Sequence, residues 1–446
     1  MIFVMGRRRP RGRASAADRP ATYREVFGVR EFRFLFAAHL LSLVGDELAR
    51  LALTVLVYDA TDSPFLAAAT FGISYAPWVL GGPFLSAFAD RLRRRSVLVG
   101  TDLVRGLVVA SLVIPGLPLW VMVGLLFAAS LLAPPFESAR SALMPDVLEG
   151  DRYAVGTAVT NISSQVAQVL GFVGGGALVL AISARGALLV DAATFLVSAA
   201  LLRWGVKDRP PSASQPGAAT SLWRETVDGL RLLTRDRLLL RIVAVLWVGQ
   251  LFVTAPEGIA APFVDGFGYG SLGIGLFLAA NPVGLVIGGI IIGRLCPPDL
   301  RERLTYPLAV LSVLPLIIAG LVENFPVVLG LFVLSGFGAS YIIPLNVTFV
   351  RAVPPAFRGR AFGVAVSGLF ACQGIAIVAA GAVAEQISAG AVVTWSGVLG
   401  LIALGVLGLI QRGPTSPAPE NRLTDPVPSP GSPPRVAESE PSGTIE

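Results

Sequence analysis

The feature that most constrains this chain is a series of twelve apolar stretches, each about 20 residues long, separated by short polar connections. A helix of that length matches the ~30 Å hydrocarbon core of a bilayer. Helices also satisfy their own backbone hydrogen bonds, which lipid cannot do. We therefore predict an all-α membrane protein with twelve transmembrane helices. The spans lie near 34–58, 65–88, 97–115, 119–139, 154–180, 184–203, 241–263, 271–292, 305–322, 326–350, 361–385 and 391–410.

The composition agrees with this prediction. Hydrophobic residues make up 54% of the 446-residue chain and charged residues 14%, whereas soluble domains carry roughly 25% charged residues. A soluble domain with so little charge could not cover its own surface. A lipid-exposed surface removes that requirement.

Arginines divide the connections into two alternating sets. The connections Asp59–Ser63, Pro115–Pro118, Asp265–Gly270 and Glu323–Phe325 contain no Lys or Arg, and Arg185 is the exception on their side. By the positive-inside rule the arginine-bearing side is cytoplasmic, as are both termini. We therefore expect a multi-pass protein of the cell (inner or cytoplasmic) membrane. The basic connections contain Arg91, Arg93, Arg94, Arg95, Arg140, Arg152, Arg294, Arg301, Arg303, Arg351, Arg358 and Arg360.

A long polar break divides the spans six and six. In it, Trp223, Val227, Leu230 and Leu233 recur at helical spacing, which predicts a helix along the membrane face, with a solvated linker helix as the alternative. The expected organisation is a basic cytoplasmic tail (1–33), an N-terminal six-helix half (34–203), a cytoplasmic linker (204–240), a C-terminal six-helix half (241–410) and a disordered, proline-rich cytoplasmic tail (411–446).

Several chemistries are excluded. Cys296, Cys372 and His39 are too few to build a Cys/His metal cluster. Lys207 is the only lysine, and no Gly-Lys-Ser/Thr follows a glycine-rich turn, so a P-loop for ATP is excluded. We see no nucleophile–base set and expect neither an enzyme nor a cofactor. The net charge of +6 comes from arginines beside the spans, so we expect no nucleic-acid partner.

Three charged residues interrupt the first span: Asp46, Glu47 and Arg50. A central Asp or Arg costs roughly 2.5–3.5 kcal/mol on insertion scales. Asp46 and Arg50 are four residues apart and can pair on one helical face, and His39 lies two turns earlier on nearly the same face. We interpret this face as a proton or substrate site in a cavity. The alternative is a static ion pair that locks the span to its neighbours.

Other polar residues lie within later spans. Glu257 follows Pro256 in a glycine-containing stretch, which predicts a bent helix bordering a cavity. An isolated amide is more often a contact between helices than a ligand group. The remaining embedded residues include Asp102, Arg105, Asp191 and Asn346. The residues that we select for a proton-coupling or substrate cavity are Asp46, Arg50, Glu257, His39, Asn161, Gln165, Gln250 and Gln373.

The connection between spans 2 and 3 carries a recognisable motif. It reads Ser86-Ala87-Phe88-Ala89-Asp90-Arg91-Leu92-Arg93-Arg94-Arg95, and resembles the G-x-x-x-D-R-x-G-R-R signature of the major facilitator superfamily. Ser86 and Arg93 replace its two glycines. The resemblance covers residues 34–410 and implies the major facilitator fold, with Asp90 latching the two halves at the cytoplasmic side against the start of span 11. The implied latch comprises Asp90, Arg91, Arg94, Arg95, Asp102, Arg105, Glu137 and Arg140.

Within that superfamily, segments such as Ser42–Asp46 and Arg140–Pro145 resemble the bacterial macrolide-efflux and siderophore-export branch. The resemblance implies a monomeric exporter of lipophilic or amphipathic small molecules that uses alternating access and exchanges protons, with membrane lipids as its surroundings. Phe172 occupies the proline position of the antiporter motif Gly-Pro-x-x-Gly-Gly. The mid-span arginine typical of span 4 in some antiporters is absent from Trp120–Pro134, so proton coupling would use other groups, and our candidates are Asp46 and Glu257.

Four other functions remain open at this point. Two are export of siderophores and export of another metabolite. A third is uncoupled facilitation, and the fourth is a non-transporting membrane receptor or lipid-handling scaffold on the same fold.

Overall fold

The computed structural model describes residues 21–80, 92–209, 227, 229–354 and 357–411, and these residues form helices and connections without strands. Eight helices in this described part are long and apolar enough to cross a membrane. The predicted all-α membrane class is therefore confirmed. The motif residues Asp90 and Arg91, the start of the linker helix and most of both tails lie outside the described residues.

The helices of the first half follow the predicted spans. A short helix, Tyr23–Gly28, precedes them and begins with a capping box between Thr22 and Glu25. The helices of this half are α1 (Arg30–Thr61), α2 (Pro64–Gly72, Ile73–Tyr75 and Ala76–Leu80), α3 (Arg94–Ser111), α4 (Leu119–Leu131 and Ala133–Val147), and a final helix Asp151–Gly205; of these, α4 and the final helix are among the eight candidate spans.

The helix Asp151–Gly205 contains two spans. Its 55 residues correspond to about 80 Å at ~1.5 Å per residue, far more than one bilayer crossing requires. The backbone leaves the helical conformation at Ser183, with φ 76° and ψ 163°. Residues 151–182 and 184–205 are therefore two helices, α5 and α6, and their boundary falls where the sequence predicts it.

The second half begins with a bent helix. Between Thr254 and Ala260 the chain forms a 3-10 segment that contains Pro256 and Glu257, which confirms the predicted bend. The helices of this half, all six among the eight candidate spans, are α7 (Arg237–Thr254, Ala255–Ile259 and Ala260–Asp265), α8 (Gly270–Ile290 and Ile291–Leu295), α9 (Pro298–Ala319), α10 (Phe325–Ala339 and Ile342–Ala352), α11 (Arg358–Ala384) and α12 (Ala389–Gln411).

Successive helices reverse direction, so the connections alternate between two ends of the bundle. We call one the basic end; it carries Arg94 at the start of α3, Arg152 at the start of α5, Arg294 and Arg301 where α8 meets α9, and Arg351 and Arg358 at the end of α10 and the start of α11. The other is the opposite end. One hydrophobic cluster joins the halves between the middle and the opposite end, with Phe71 and Phe172 from the first half against Ile259, Phe277 and Ile377 from the second.

The described part of the linker packs on the second half. Leu233 is buried in a hydrophobic cluster with helices α7, α9 and α10, while Leu230 is half exposed. Gly229 approaches α11 so closely that a Cβ atom there would lie 2.8 Å from the carbonyl oxygen of Arg360. Trp223 of the predicted apolar face lies outside the described residues.

Candidate transport site

Helix α1 carries its three charged side chains into the packed interior because small residues on its neighbours leave room for them. A Cβ atom at Gly171 of α5 would lie 2.7 Å from Cβ of Glu47, and one at Gly175 would lie 3.1 Å from Cα of Leu48. Gly45 of α1 contacts the side chain of Asp191 on α6 in the same way. Glycines thus bring α1, α5 and α6 together around the charges.

Asp46 pairs with Arg105 of α3. The guanidinium of Arg105 donates to the Asp46 carboxylate, and its Nη1 donates to Ser42 Oγ at 3.4 Å. The same guanidinium lies over the ring of Phe195, 4.4 Å from its centroid. The Arg105 side chain is 4% exposed, whereas that of Asp46 is 29% exposed. The carboxylate is therefore the accessible member of the pair.

The expected pair between Asp46 and Arg50 is absent from this arrangement. Arg50 pairs instead with Glu47, at 2.9 Å between Nη1 and Oε2. The prediction was wrong because sequence spacing shows the candidate partners on the same helix but hides those on another. Here a guanidinium from α3 reaches Asp46, and the one on α1 turns to Glu47.

Arg50 connects the two halves. Its guanidinium lies 5.3 Å from the ring centroids of both Phe71 and Tyr75 on α2, a distance at which a cation is attracted to an aromatic face. Glu257 of the bent helix α7 is close enough to interact electrostatically with Arg50 and Tyr75. A residue from each half therefore acts on this one cation.

These charges surround a cavity of about 110 Å³. Asp191 of α6 also lines it, although its position alone in an apolar span did not single it out for the site. The only local signal was Thr194 three residues later, whose hydroxyl lies 3.2 Å from Asp191 Oδ1. The cavity lining includes Asp46, Glu47, Arg50, Arg105, Asp191, Ser130 and Trp78.

A larger, apolar groove lies beside the charged cavity, between α2 and α11. Its volume is about 680 Å³. Phe370 of α11 stacks on Trp78, with 5.0 Å between ring centroids, and also contacts Tyr75. Tyr75 therefore lies between the two: one side of its ring lines the groove, and the other side contacts the guanidinium of Arg50.

Asp102 and Arg105, which the resemblance assigns to the latch, lie away from the basic end. Arg105 is eleven residues from the start of α3 at Arg94, which corresponds to about 16 Å. Asp102 is fully buried and lies 2.5 Å from Ser198 Oγ of α6. The structure thus groups these residues with the membrane interior rather than with the other latch residues.

The other described latch residues pair at or near the basic end. Arg94 donates to Asp146 Oδ2 at 2.5 Å, and Arg95 lies 3.3 Å from Asp208 Oδ2. Arg140 pairs with Glu137 on its own helix. Nearby, the hydrogen bond to Glu31 raises the pKa of the Arg209 guanidinium. Asp90 and Arg91, the centre of the predicted latch, lie outside the described residues.

The remaining predicted site residues do not line the 110 Å³ cavity. His39 Nε2 lies 3.1 Å from Ser164 Oγ of α5. Gln250 is half-buried, and its Oε1 has no hydrogen-bond partner among the described residues. Asn161 is exposed, and both Gln165 and Gln373 are half-buried. The site that the structure assembles is therefore smaller than the predicted one and includes Arg105 and Asp191.

At the opposite end, the two halves are joined by direct contacts. Glu385 at the end of α11 accepts hydrogen bonds from Ser63 Oγ at 2.5 Å and from the backbone N–H of Phe65 at 3.3 Å, at the start of α2. Ser271 Oγ of α8 donates to the carbonyl of Gly176 on α5 at 3.2 Å. The structure is therefore in a conformation closed at the opposite end.

Comparisons with known proteins agree with this architecture. A family model described as Major Facilitator Superfamily matches residues 35–350. The uncharacterized MFS-type transporter YfiS of Bacillus subtilis (strain 168) is 25% identical over 394 residues, covering 85% of this chain and 92% of that protein. Macrolide efflux protein A of Streptococcus pyogenes is 21% identical over 383 residues, covering 80% of this chain and 90% of its own length.

Among solved structures, the chain is similar in fold to a POT family transporter in complex with a thioalcohol-conjugated peptide. The TM-score is 0.68 at 14% sequence identity, and the match covers 86% of this chain and 96% of that one. A POT family transporter in complex with 5-aminolevulinic acid has a TM-score of 0.68 at 13% identity, covering 85% of this chain and 96% of that one. At this identity the likeness concerns the fold alone.

Proposed function

The chain belongs to the Major Facilitator Superfamily of membrane transporters, and we propose that it exports a lipophilic or amphipathic small molecule in exchange for protons. The observation that carries this proposal is the position of the buried ion pairs. They lie in the interior beside an apolar groove, where Arg50 of the first half is within electrostatic range of Glu257 of the second. A site shared by both halves is what alternating access requires.

The surroundings of Arg50 and Asp46 favour an amphipathic substrate. Charged groups in the small cavity would bind a polar or cationic centre, and the apolar groove next to Tyr75 would accept a hydrocarbon part. Ligand sites commonly combine an apolar wall with a few polar groups that fix orientation. The similarity to macrolide efflux protein A agrees with this substrate class.

The direction of transport follows from the two ends. By the positive-inside rule we assign the basic end to the cytoplasm, with the chain in the cell membrane and both termini inside. The conformation closed at the opposite end is then the one that receives substrate from the cytoplasm. Opening at the opposite end would require the contacts of Glu385 and Gly176 to separate.

Asp46 is the first coupling residue in this proposal. Its side chain is accessible from the cavity and its partner is buried, so a proton or a substrate cation can reach the carboxylate and compete with Arg105. Neutralising Asp46 changes the charge balance on the face that contacts α3. Neutralising Glu257, which belongs to the second half, changes the charge balance around Arg50 in the same way.

The test uses inverted membrane vesicles and three probes: the lipophilic cation tetraphenylphosphonium, a macrolide and a ferric siderophore. We expect the parental protein to move the cation or the macrolide into the vesicles when their interior is acidic. Asp46→Asn should abolish this gradient-driven transport while the protein remains in the membrane.

Asp62→Asn is the matched control, because Asp62 is an exposed aspartate at the opposite end with a left-handed backbone that Asn also adopts. Its transport should equal that of the parental protein. If the protein moves only the ferric siderophore, the proposed lipophilic or amphipathic substrate class is wrong and a siderophore is the substrate. Absence of any flux in proteoliposomes would favour the scaffold function, and parental transport by Asp46→Asn would remove Asp46 from coupling.

A further inference from the structure

Asp191 on α6 is a buried acidic residue to which the proposed function assigns no role. The residue is 0% exposed, and among the described residues its Oδ2 atom has no hydrogen-bond partner. A carboxylate without a cation or hydrogen bonds is strongly disfavoured in such a place. Its side chain nevertheless lines the same cavity as Asp46 and Arg105. The burial of this group therefore needs an explanation.

The hydrogen bonds of Thr194 indicate which form of Asp191 is present. The Thr194 hydroxyl lies 2.8 Å from the carbonyl oxygen of Asp191 and 3.2 Å from its Oδ1. A hydroxyl has one hydrogen to donate. Thr194 shares this hydrogen between the carbonyl oxygen and Oδ1, so the Asp191 carboxyl group receives at most one weak hydrogen bond, and Oδ2 receives none among the described residues. The arrangement thus suits a protonated Asp191.

Around Asp191, one cation, the Arg105 guanidinium, is shared by several acidic side chains. Arg105 and Asp102 act on it from α3 and Asp46 acts on it from α1, while Glu47 and Arg50 line the same cavity as a separate ion pair. In the observed state Arg105 is paired with Asp46. Its Nε, however, has no hydrogen-bond partner among the described residues. Arg105 thus has an unused donor, and Asp191 Oδ2 is an unused acceptor in the same cavity.

We propose that Asp191 is a second proton-carrying group of this transporter, and that Arg105 exchanges its ion pair between Asp46 and Asp191 when a monovalent lipophilic cation binds. This inference rests on the proposed transport function and deepens it, because it names the charge of the substrate and the group that releases the proton.

The exchange balances in charge and in protons. Before binding, Asp46 is a carboxylate paired with the Arg105 guanidinium, and Asp191 carries a proton. The substrate cation pairs with the Asp46 carboxylate and releases Arg105. The Asp191 O–H bond then breaks, its proton passes to water in the cavity, and the new carboxylate pairs with Arg105. One positive charge has entered the cluster and one proton has left it, so the net charge is unchanged.

Asp102 does not take part in this exchange. Its Oδ2 lies 2.5 Å from Ser198 Oγ, which is also 3.2 Å from the carbonyl oxygen of Ala38. Ser198 likewise shares one hydrogen between these two oxygens, and Asp102 Oδ1 has no hydrogen-bond partner among the described residues. Asp102 is not among the residues that line the cavity, so a proton there has no comparable path. We assign it a fixed proton in the packing between α3 and α6.

The first experiment counts protons without any substrate and then with one. Purified parental protein and Asp191→Asn are titrated in unbuffered detergent solution over roughly pH 4 to 10, where Asp191→Asn should bind about one proton fewer. Addition of tetraphenylphosphonium should release about one proton per bound cation from the parental protein, and none from Asp191→Asn. Equal proton release from both proteins would overturn the assignment.

The second experiment distinguishes transport driven by a pH gradient from transport driven by a membrane potential. In proteoliposomes, a pH gradient should drive tetraphenylphosphonium accumulation beyond that in protein-free liposomes. A potassium diffusion potential alone, to which this permeant cation responds without any protein, should give the same rate of accumulation with and without the parental protein. Asp191→Asn should lose the driven accumulation, and Asp191→Glu should regain part of it. Asp62→Asn is again the matched control, since it replaces an exposed carboxylate at the opposite end, away from the cavity; it should behave like the parental protein.

The outcomes distinguish a failure of the proposed transport function from a failure of the proposed role of Asp191. If the parental protein moves no probe at all, the proposed transport function fails. If it moves a neutral macrolide but no cation, or if Asp191→Asn accumulates tetraphenylphosphonium at the parental rate, transport stands and the role of Asp191 is overturned. Potential-driven accumulation that is faster with the protein than in protein-free liposomes would contradict the one-for-one exchange.

Discussion

At the scale of single residues, Arg105 is the centre of the site. Its guanidinium pairs with Asp46, contacts Ser42 and lies over Phe195, and its side chain is 4% exposed. Ionised groups taken out of water each carry a desolvation penalty of several kcal/mol, so the pair is stable only while both partners are present. Removing one member leaves a buried charge without compensation.

We therefore predict that Arg105→Met destabilises the protein by about 1–3 kcal/mol, because Asp46, which is only partly exposed, loses its cation. The measurement is the folded fraction that remains in detergent after heating, followed by size-exclusion chromatography. Arg93→Met is the control: its side chain is 63% exposed in its pair with Asp208, and exposed pairs contribute about 0–1 kcal/mol. Equal heat resistance of the two variants would show that the buried pair adds no stability.

The sequence indicated which residues matter here but not how they pair. Asp46, Arg50 and Arg105 were recognisable because charge within an apolar span is rare. Their pairing depends on contacts between helices, and the spacing of residues along one helix gives no information about those contacts. Asp191 was embedded in the same way. What distinguishes it is its approach to Gly45 across the interface between α1 and α6, and that approach is a property of the packing.

At the scale of elements, the glycines of α5 divide into two sets by the helix that they contact. Gly171 and Gly175 receive α1 within the first half. Gly176 receives α8 of the second half, where a Cβ atom would lie 2.5 Å from the carbonyl oxygen of Ser271. Gly174, two residues away, has no neighbouring atom within 4 Å of the corresponding position. One helix thus serves both the internal packing and the closure of the opposite end.

We predict that Gly176→Val prevents close contact between α5 and α8 and shifts the protein toward a conformation open at the opposite end. The measurement is the distance between spin labels at Leu180 and Tyr269, both exposed near that end, in a background that lacks Cys296 and Cys372. The mean distance should increase.

Gly174→Val is the control for this experiment, because it adds the same side chain to open space. Its distance distribution should match that of the parental protein. An unchanged distribution in Gly176→Val would show that the contact with Ser271 does not determine closure.

The helices themselves were largely predictable, because length, hydropathy and arginine placement are local properties. The predicted bend at Pro256 and the boundary between α5 and α6 agree with the structure. The helix ends differ by several residues, since α1 begins at Arg30 and α4 continues to Val147. Polar residues can extend a helix past the apolar core into the interface, so hydropathy alone understates its length.

At the scale of the whole molecule, Glu385 joins the halves at the opposite end. Its carboxylate accepts from Ser63 Oγ and from the N–H of Phe65 at the start of α2, where the helix dipole also favours a negative charge. Nearby, Gly381 of α11 packs directly against Ala68. The residues lie more than 300 positions apart, so no local pattern predicted this contact.

We predict that Glu385→Ala favours the conformation open at the opposite end, because closure loses a charge-assisted contact of about 1–2 kcal/mol. The population of that state should rise roughly 5- to 30-fold. Spin labels at Thr61 and Gln386 report it as a longer distance. Ser63→Ala should have a smaller effect in the same direction, and the double variant should not exceed Glu385→Ala; additive effects would mean that the two residues act separately.

The ion pair between Asp46 and Arg105 also sets a condition on how the protein is made. Helices α1 and α3 are not among the eight helices of the described part that are apolar enough to cross alone, and each buries its charge against the other. The two partners are separated by 59 positions, which takes roughly 3–12 s to synthesise at ~5–20 residues per second. During that interval α1 is an unpaired, charged segment. The stabilisation that Arg105 gives to Asp46 therefore reaches α1 only after α3 has been made.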